Sequence, residues 1–295
     1  MKSYGFKECN MFMALCRISI LNLLGVKIDN LSLEEALEKI EGFLDDSKIP
    51  PYPPLQSGEA EGAFFTKWGG NQHYIVLPYA DFLVQAQKDS EFREILNKAD
   101  LSLSDGVGPV MASYLCGQEH LKGRVMGVDL IWALFAKFGA QHSVFLFGAK
   151  EGVAQETAKK IMAKHPAAKL SLAQAPLSGA AKIVGTLNGY VDDAEAIAAI
   201  NASGAEILLV ALGMPKQEKW IYDNLKKMPA VKLAVGVGGS FDFISGRTRR
   251  APRFVQKMGL EWLWRLFAQP SQWRKTWRAV AVFSWLTLKS TFRHS

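Results

Sequence analysis

The feature that most constrains this chain is a rhythm that begins at Tyr74, where short apolar runs alternate with stretches of helical spacing. The runs are Tyr74–Leu77, Leu101–Leu103, Val144–Phe147, Ile183–Thr186, Ile207–Leu212 and Leu233–Val237. Between them, residues such as Ala154, Ala158 and Ile161 fall on one side of a helix, and Pro109 and Pro215 suit first-turn positions. Short, fully apolar strands separated by helices are the mark of βαβ units, because a parallel sheet covered on both faces needs no polar alternation. The expected fold is therefore α/β: a mainly parallel, Rossmann-like sheet flanked by helices. A length of 295 residues is ample for such a core, and 49% apolar with 21% charged residues is a folded composition. No repeat of fixed period points to a solenoid.

The chain ahead of this rhythm divides into simpler pieces. Ile18 to Ile28 reads as a strand or hairpin, and Ser32 with Glu35 forms an S-x-x-E capping box for a helix reaching about Leu44. Residues 47–72 hold Pro50, Pro51, Pro53, Pro54, Gly58, Gly62, Gly69 and Gly70 without apolar period, as a surface loop or insertion would. Residues 1–17 read as an N-terminal extension. Arg17 follows the apolar Met11–Leu15 stretch with no small-residue cleavage site, so no signal peptide is expected. Three cysteines, Cys9, Cys16 and Cys116, make neither an even disulfide set nor a CxxC pair, which points to a reducing, cytoplasmic setting.

Ligands of open α/β sheets bind at the carboxyl edge, so the unusual residues following the strands carry the functional argument. Ser104-Asp105-Gly106-Val107-Gly108-Pro109 places a carboxylate between strand and helix. Asp105 is read there either as a general base, its pKa raised by partial burial, or as a turn or cap aspartate. Phe147-Gly148-Ala149-Lys150-Glu151-Gly152 is a phosphate-binding turn through Gly148 or a plain βα turn, and it lacks G-x-G-x-x-G spacing. Gly213-Met214-Pro215-Lys216-Gln217-Glu218 offers helix-start N–H groups and Lys216 to a diphosphate, or is an ordinary proline-started helix. Gly236, Gly238 and Gly239 open the backbone at the end of the last strand, and the cluster Arg247, Arg249 and Arg250 close behind Asp242 either neutralises phosphates or is the solvated basic face of a flexible loop. The five histidines are scattered and no D-x-D clamp appears, so no metal site and no cofactor are expected.

The net charge of +7 is concentrated at the end of the chain. After Glu261 there is no Asp or Glu, while Arg265, Arg274, Lys275, Arg278, Lys289 and Arg293 are positive, which leaves the body near neutral. Trp273, Trp277, Val280 and Leu288 fall near one side of a helix, although Val282 and Trp285 spoil the polar side. The run Ala279–Leu288 is far shorter than the roughly twenty residues that span a bilayer. Residues 263–295 therefore read as a basic, Trp-rich helical appendage lying on an anionic membrane surface, with packing on the body or a partner subunit as the alternative. No nucleic-acid module accompanies the tail, and nucleic acid is not an expected partner.

The runs GMPKQE, VGVGGSFDF, RRAP and GLEWLWRL, in this order, resemble the WecG/TagA/CpsF family of bacterial glycosyltransferases. Weaker matches are SDGVGPV, the trio Arg124, Gly127 and Asp129, FLFGAKEGVA and IVGTLNGY. The resemblance covers Ile20 to Pro270 apart from the insertion, and it implies a glycosyltransferase domain over 18–262. It implies transfer of an N-acetylmannosamine-type sugar, with inversion, from a UDP donor to a polyprenyl-diphosphate-linked saccharide at the cytoplasmic membrane face. It further implies Asp105 as the base. Donor binding falls to Gly106, Arg124, Gly148, Gly213, Pro215, Lys216, Gln217, Glu218, Gly236, Gly238, Gly239 and Asp242, with Arg249, Arg250 and Arg265 stabilising the leaving group. One departure stands out: Leu77 and Tyr79 occupy the positions of the family's T-x-N motif. The competing readings are transfer of another UDP-hexose or uronic acid, and a degenerate nucleotide-sugar-binding protein. An NAD-dependent enzyme lacks its fingerprint here, and a homo-oligomer is left open.

Overall fold

The structure, a computed structural model, describes residues 20–45, 71–115, 119–164, 182–261, 263–264 and 273–291, without side chains at 253, 257, 273–276, 278–279 and 290–291. The extension 1–17, the insertion except Asn71 and Gln72, the three cysteines and Arg265 lie outside the described residues. The chain opens with an antiparallel hairpin, β1 (Ile20–Leu23) and β2 (Val26–Asp29). Helix α1 (Leu33–Leu44) follows, and both halves of its capping box form: Ser32 Oγ accepts from the Glu35 N–H, and Glu35 accepts from the Ser32 N–H. Then come β3 (His73–Val76), α2 (Ala80–Ala86), α3 (Ser90–Asn97), β4 (Leu101–Ser102), α4 (Val107–Leu115) and α5 (Gly127–Phe138). The second half runs β5 (Val144–Gly148), α6 (Val153–Lys164), β6 (Ile183–Leu187), α7 (Asp193–Ser203), β7 (Ile207–Ala211), α8 (Lys216–Asn224), β8 (Leu233–Gly236), α9 (Ser240–Ser245), α10 (Arg253–Lys257) and α11 (Trp273–Thr291).

All six expected strands form one parallel sheet, ordered β4-β3-β8-β7-β5-β6. Successive strand residues point to opposite faces, so each strand feeds two cores. Ile75, Ile207, Leu209, Leu233 and Val235 join α1, α5, α6 and α9 on one face. Tyr74, Val76, Leu208, Val210 and Ala234 join the hairpin, α2, α3, α7 and α8 on the other. This two-sided covering is why the strands read as unbroken apolar runs. At the edge near β6, Gly185 is required by packing, since a Cβ there would lie 2.3 Å from the Phe145 ring.

The chain leaves β3 for α2 on one face and leaves the neighbouring strand β8 for α9 on the other. Adjacent strands whose helices depart to opposite faces open a crevice between their carboxyl ends, where open α/β proteins bind ligands. The site residues are expected at that crevice.

Helix α11 lies against α2 and α4. Phe283 and Thr287 are buried, and Val282 and Leu286 pack partly against the same core. The body-facing stripe therefore differs from the face read from sequence: Val282, which looked out of place, belongs to it, while Trp277, Trp285 and Leu288 stay exposed. The reason is helical spacing about Phe283, whose i+3 and i+4 neighbours are Leu286 and Thr287. Among the described residues no helix is long and apolar enough to cross a membrane.

Candidate active site

The carboxyl edge can be followed from β4 to β5 through explicit contacts. Asp105 is partly exposed just beyond β4, and its N–H donates to Pro78 O at 2.9 Å, tying it to the loop that leaves β3. Gly106 adopts φ +78°, a left-handed conformation that lets the chain turn from Asp105 into α4. Leu77 is buried, and Tyr79 stands at the start of α2 with its ring edge on Phe82 at 4.9 Å between centroids. Leu77 belongs to one core and Tyr79 packs against the other, so the loop that holds the Asp105 backbone is flanked by apolar and aromatic side chains. Next along the edge, α5 begins at Gly127, where a Cβ would lie 2.6 Å from Ser240 Oγ and 3.3 Å from Leu77 Cδ1. The missing side chain allows the first turns of α5 and α9 to meet over the end of β8.

The two glycine loops after β7 and β8 are joined by a single amide. Gln217 Oε1 accepts from the N–H of Gly213 at 3.2 Å and of Gly238 at 3.0 Å. Its Nε2 donates to Glu218 Oε1 at 2.6 Å. Gln217 and Glu218 are sealed from solvent at 1% and 0% exposure, so they lie behind the loops, whereas the preceding Lys216 is exposed. Burial pushes the Glu218 carboxyl up to about 7. Pro215 follows a cis peptide and immediately precedes α8. Gly148, one strand further, has a packing reason to be glycine: a Cβ would lie 2.6 Å from the Ala211 backbone.

The arginines divide into two sorts. Arg250 grips Asp129 with both terminal nitrogens, at 2.7 and 2.8 Å, and its Nε reaches Glu261 at 3.3 Å. Arg124 bonds the Gln256 carbonyl and stands 3.6 Å from the other Glu261 oxygen. These two guanidiniums and two carboxylates lock the segment after α9 to the start of α5. Arg249, by contrast, is exposed and makes no ion pair among the described residues. Asp242 sits in the first turn of α9, partly buried, and its carbonyl accepts from the Thr248 N–H.

Sequence reading missed Asn30. It is buried, accepts from the Lys122 N–H at 2.6 Å and donates to His120 O at 3.0 Å, anchoring the segment that carries Arg124. A lone asparagine after a hairpin carries no motif, so no sequence signal marks it. Among the described residues no group of three or more His, Cys, Asp or Glu side chains gathers into a metal-binding cluster.

Comparison with known proteins bears on this edge. Residues 59–295 match the family described as Glycosyl transferase WecG/TagA/CpsF, so the match begins within the Pro/Gly-rich stretch and runs through α11. A relative is the N-acetylglucosaminyldiphosphoundecaprenol N-acetyl-beta-D-mannosaminyltransferase of Bacillus spizizenii, 35% identical over 204 residues, covering 68% of this chain and 74% of that protein. Another, of the same description, is from Bacillus subtilis strain 168, 33% identical over 192 residues, covering 64% and 69%.

Proposed function

The chain belongs to the WecG/TagA/CpsF family of glycosyltransferases, and from that premise we propose that it moves an N-acetylmannosamine-type sugar from a UDP donor to a saccharide on polyprenyl diphosphate. The relatives' descriptions support the sugar and the diphosphoundecaprenol-linked acceptor. The observation that carries the reading is convergence: the SDG, GMPKQE and VGVGGSFDF segments all end on one sheet edge, with Asp105 on one side of the crevice and the joined glycine loops on the other.

In the proposed reaction, the acceptor hydroxyl oxygen attacks the anomeric carbon from the side opposite UDP. Its proton passes to the Asp105 carboxylate as the bond between the anomeric carbon and the diphosphate oxygen breaks. The charge gathering on departing UDP is stabilised by helix-start N–H groups with Lys216 and Arg249, both exposed. Arg250 and Arg124 act through the ion-pair network that locks the segment after α9 to the start of α5, and Arg265 remains a candidate by position in the motif alone.

Residues 18–262 supply the catalytic domain in this reading, and 263–295 hold it on the inner membrane face, where a polyprenyl-linked acceptor resides. The packed helices α4 and α11 together leave Met111, Tyr114, Leu115, Trp277, Trp285 and Leu288 exposed, as an interfacial surface would. One observation favours a second donor reading: buried Leu77 and aromatic Tyr79 stand at the family's small polar positions, in the loop that holds the Asp105 backbone. The test is a panel of UDP-N-acetylhexosamines, UDP-hexoses and UDP-uronic acids against a polyprenyl-diphosphate-linked sugar, with and without EDTA. Transfer from the N-acetylmannosamine donor is expected. Transfer from another donor alone replaces the sugar assignment, and no transfer from any donor leaves the catalytic reading without support.

A further inference from the structure

We infer that Glu218 is a positioning residue for donor binding: its carboxyl group fixes the side-chain amide of Gln217, which in turn sets the spacing of the glycine loops after β7 and β8. The inference rests on the reading that those loops hold the donor diphosphate.

The argument begins with the amide's two ends. Gln217 Oε1 faces two backbone N–H donors, of Gly213 and Gly238, one from each loop. Turning the amide over would set its NH₂ group against those donors, so the oxygen must stay and the nitrogen must find an acceptor elsewhere. Glu218 Oε1 is that acceptor, at 2.6 Å. The amide thus has one productive orientation, and Glu218 selects it.

The neighbouring backbone is shaped to admit the pair. A Cβ on Gly236, the last residue of β8, would lie 2.9 Å from Gln217 Nε2 and 3.1 Å from Glu218 Oε1. Any side chain there would drive the amide away from the two loops. Gly213 and Gly238 hold φ +81° and +52°, so each loop turns in a conformation that glycine favours, and the shared oxygen ties the two turns together.

Glu218 does this without touching the front of the site. It is 0% exposed, and its second oxygen has no hydrogen-bond partner among the described residues. Burial raises its pKa to about 7, and the titratable group that shares its surroundings is Tyr74, itself fully buried and pushed upward by burial and by the Glu218 charge. A carboxyl protonated on Oε2 still accepts through Oε1. Glutamine at 218 has the same shape and the same acceptor, so it reproduces the arrangement, whereas alanine removes the partner of Gln217 Nε2.

The test compares Glu218→Ala, Glu218→Gln and Gly236→Ala in the full chain. It reads steady-state donor KM and kcat, UDP affinity by calorimetry, and hydrogen exchange at the Gly213 and Gly238 amides. Glu218→Ala is expected to raise donor KM and UDP Kd by about tenfold, the cost of one buried unsatisfied amide, with a smaller change in kcat and faster exchange at both glycines. Glu218→Gln is expected to rescue KM and exchange together, and Gly236→Ala to reproduce the alanine phenotype from the opposite side. Should the glutamine variant be as impaired as the alanine one, the ionised carboxylate is what matters and the positioning role falls. Unchanged KM and unchanged exchange in Glu218→Ala would overturn it equally. If wild-type protein binds no UDP, the diphosphate reading fails, while the exchange data still decide whether Glu218 sets the loops. Where Glu218→Ala does not fold, the other two variants carry the test.

Discussion

The two walls of the crevice are built on opposite principles. On the β7/β8 side, backbone turns are held by a buried amide and a buried carboxyl, with the exposed Lys216 just before them in the chain and four charged groups locking the segment behind. On the β3/β4 side, one carboxylate stands beside Leu77 and Tyr79, and the helices that follow, α2 and α4, carry α11 on their outer surface. The first wall is over-determined by hydrogen bonds and suits a ligand of fixed charge and shape, such as a diphosphate. The second carries Asp105 on a backbone tied to Pro78 and leads into a broad apolar shoulder, which suits a substrate delivered from a lipid surface. In the proposed reaction the donor is gripped on one wall and the acceptor is merely admitted on the other, with Asp105 as their single chemical link.

The largest expected effect tests that division of labour. Asp105→Ala is expected to lower kcat by about a thousandfold, within the range of general-base contributions, while UDP affinity stays within about twofold. Rapid-quench turnover and calorimetry on one preparation supply both numbers. A wild-type rate removes Asp105 as the base. A marked loss of UDP affinity moves it to the donor wall and breaks the comparison.

The walls also differ in how much of them was legible in the sequence. The strands were readable because a doubly covered parallel sheet writes itself as apolar runs, and the capping box was readable because Ser32 and Glu35 are local to each other. The β7/β8 wall was partly readable: its glycines announce open backbone. What the sequence did not disclose is that Gln217 and Glu218 turn inward, since a polar residue in the first turn of a helix carries no sign of the face it takes. Nor did it disclose that Arg250 is already engaged by Asp129, a pairing between residues far apart in the chain. On the β3/β4 side, the stripe of α11 that docks on the body was misjudged because Trp and Val were weighed by type, whereas Phe283 and its helical neighbours decide the face.

Two buried titrating groups, one on each side of the β3–β8 junction, sharpen the contrast with opposite signs. Glu218 has its pKa raised from 4.5 to about 7 by burial, so the folded state holds a proton that the unfolded chain releases, and stability falls as pH rises through that interval. His73, stacked on Phe43 with ring centroids 3.9 Å apart, has its pKa lowered from 6.5 to about 4 by burial, so stability falls as pH drops through that interval. Each is worth about 3 kcal/mol at full titration, and between pH 4.5 and 6.5 they nearly cancel. Relative to wild type, Glu218→Gln should gain stability with rising pH across this window, and His73→Phe should gain it with falling pH. Urea-unfolding midpoints at several pH values give both differences. A Glu218→Gln profile parallel to wild type shows that the carboxyl ionises normally despite its burial.

The smallest expected effect concerns the apolar shoulder. Deleting α11 is a poor probe of membrane contact, because the loss of Phe283 and Thr287 uncovers α2 and α4 and confuses docking with folding. Trp277 and Trp285 are 56% and 67% exposed, so replacing both with glutamine changes the outer surface and leaves the docked stripe intact. The double variant is expected to keep its thermal midpoint and to bind vesicles of anionic phospholipid about tenfold more weakly in sedimentation assays, a modest share of two aromatic anchors. A parallel series with zwitterionic vesicles separates the terms: aromatic anchoring weakens on both surfaces, whereas the tail's positive charges act on the anionic surface alone. Wild-type binding to anionic vesicles by the double variant would mean that this side of α11 does not meet the bilayer. The acceptor wall would then need another route to its lipid, and the asymmetry between the two walls would reduce to Asp105 and the glycine loops.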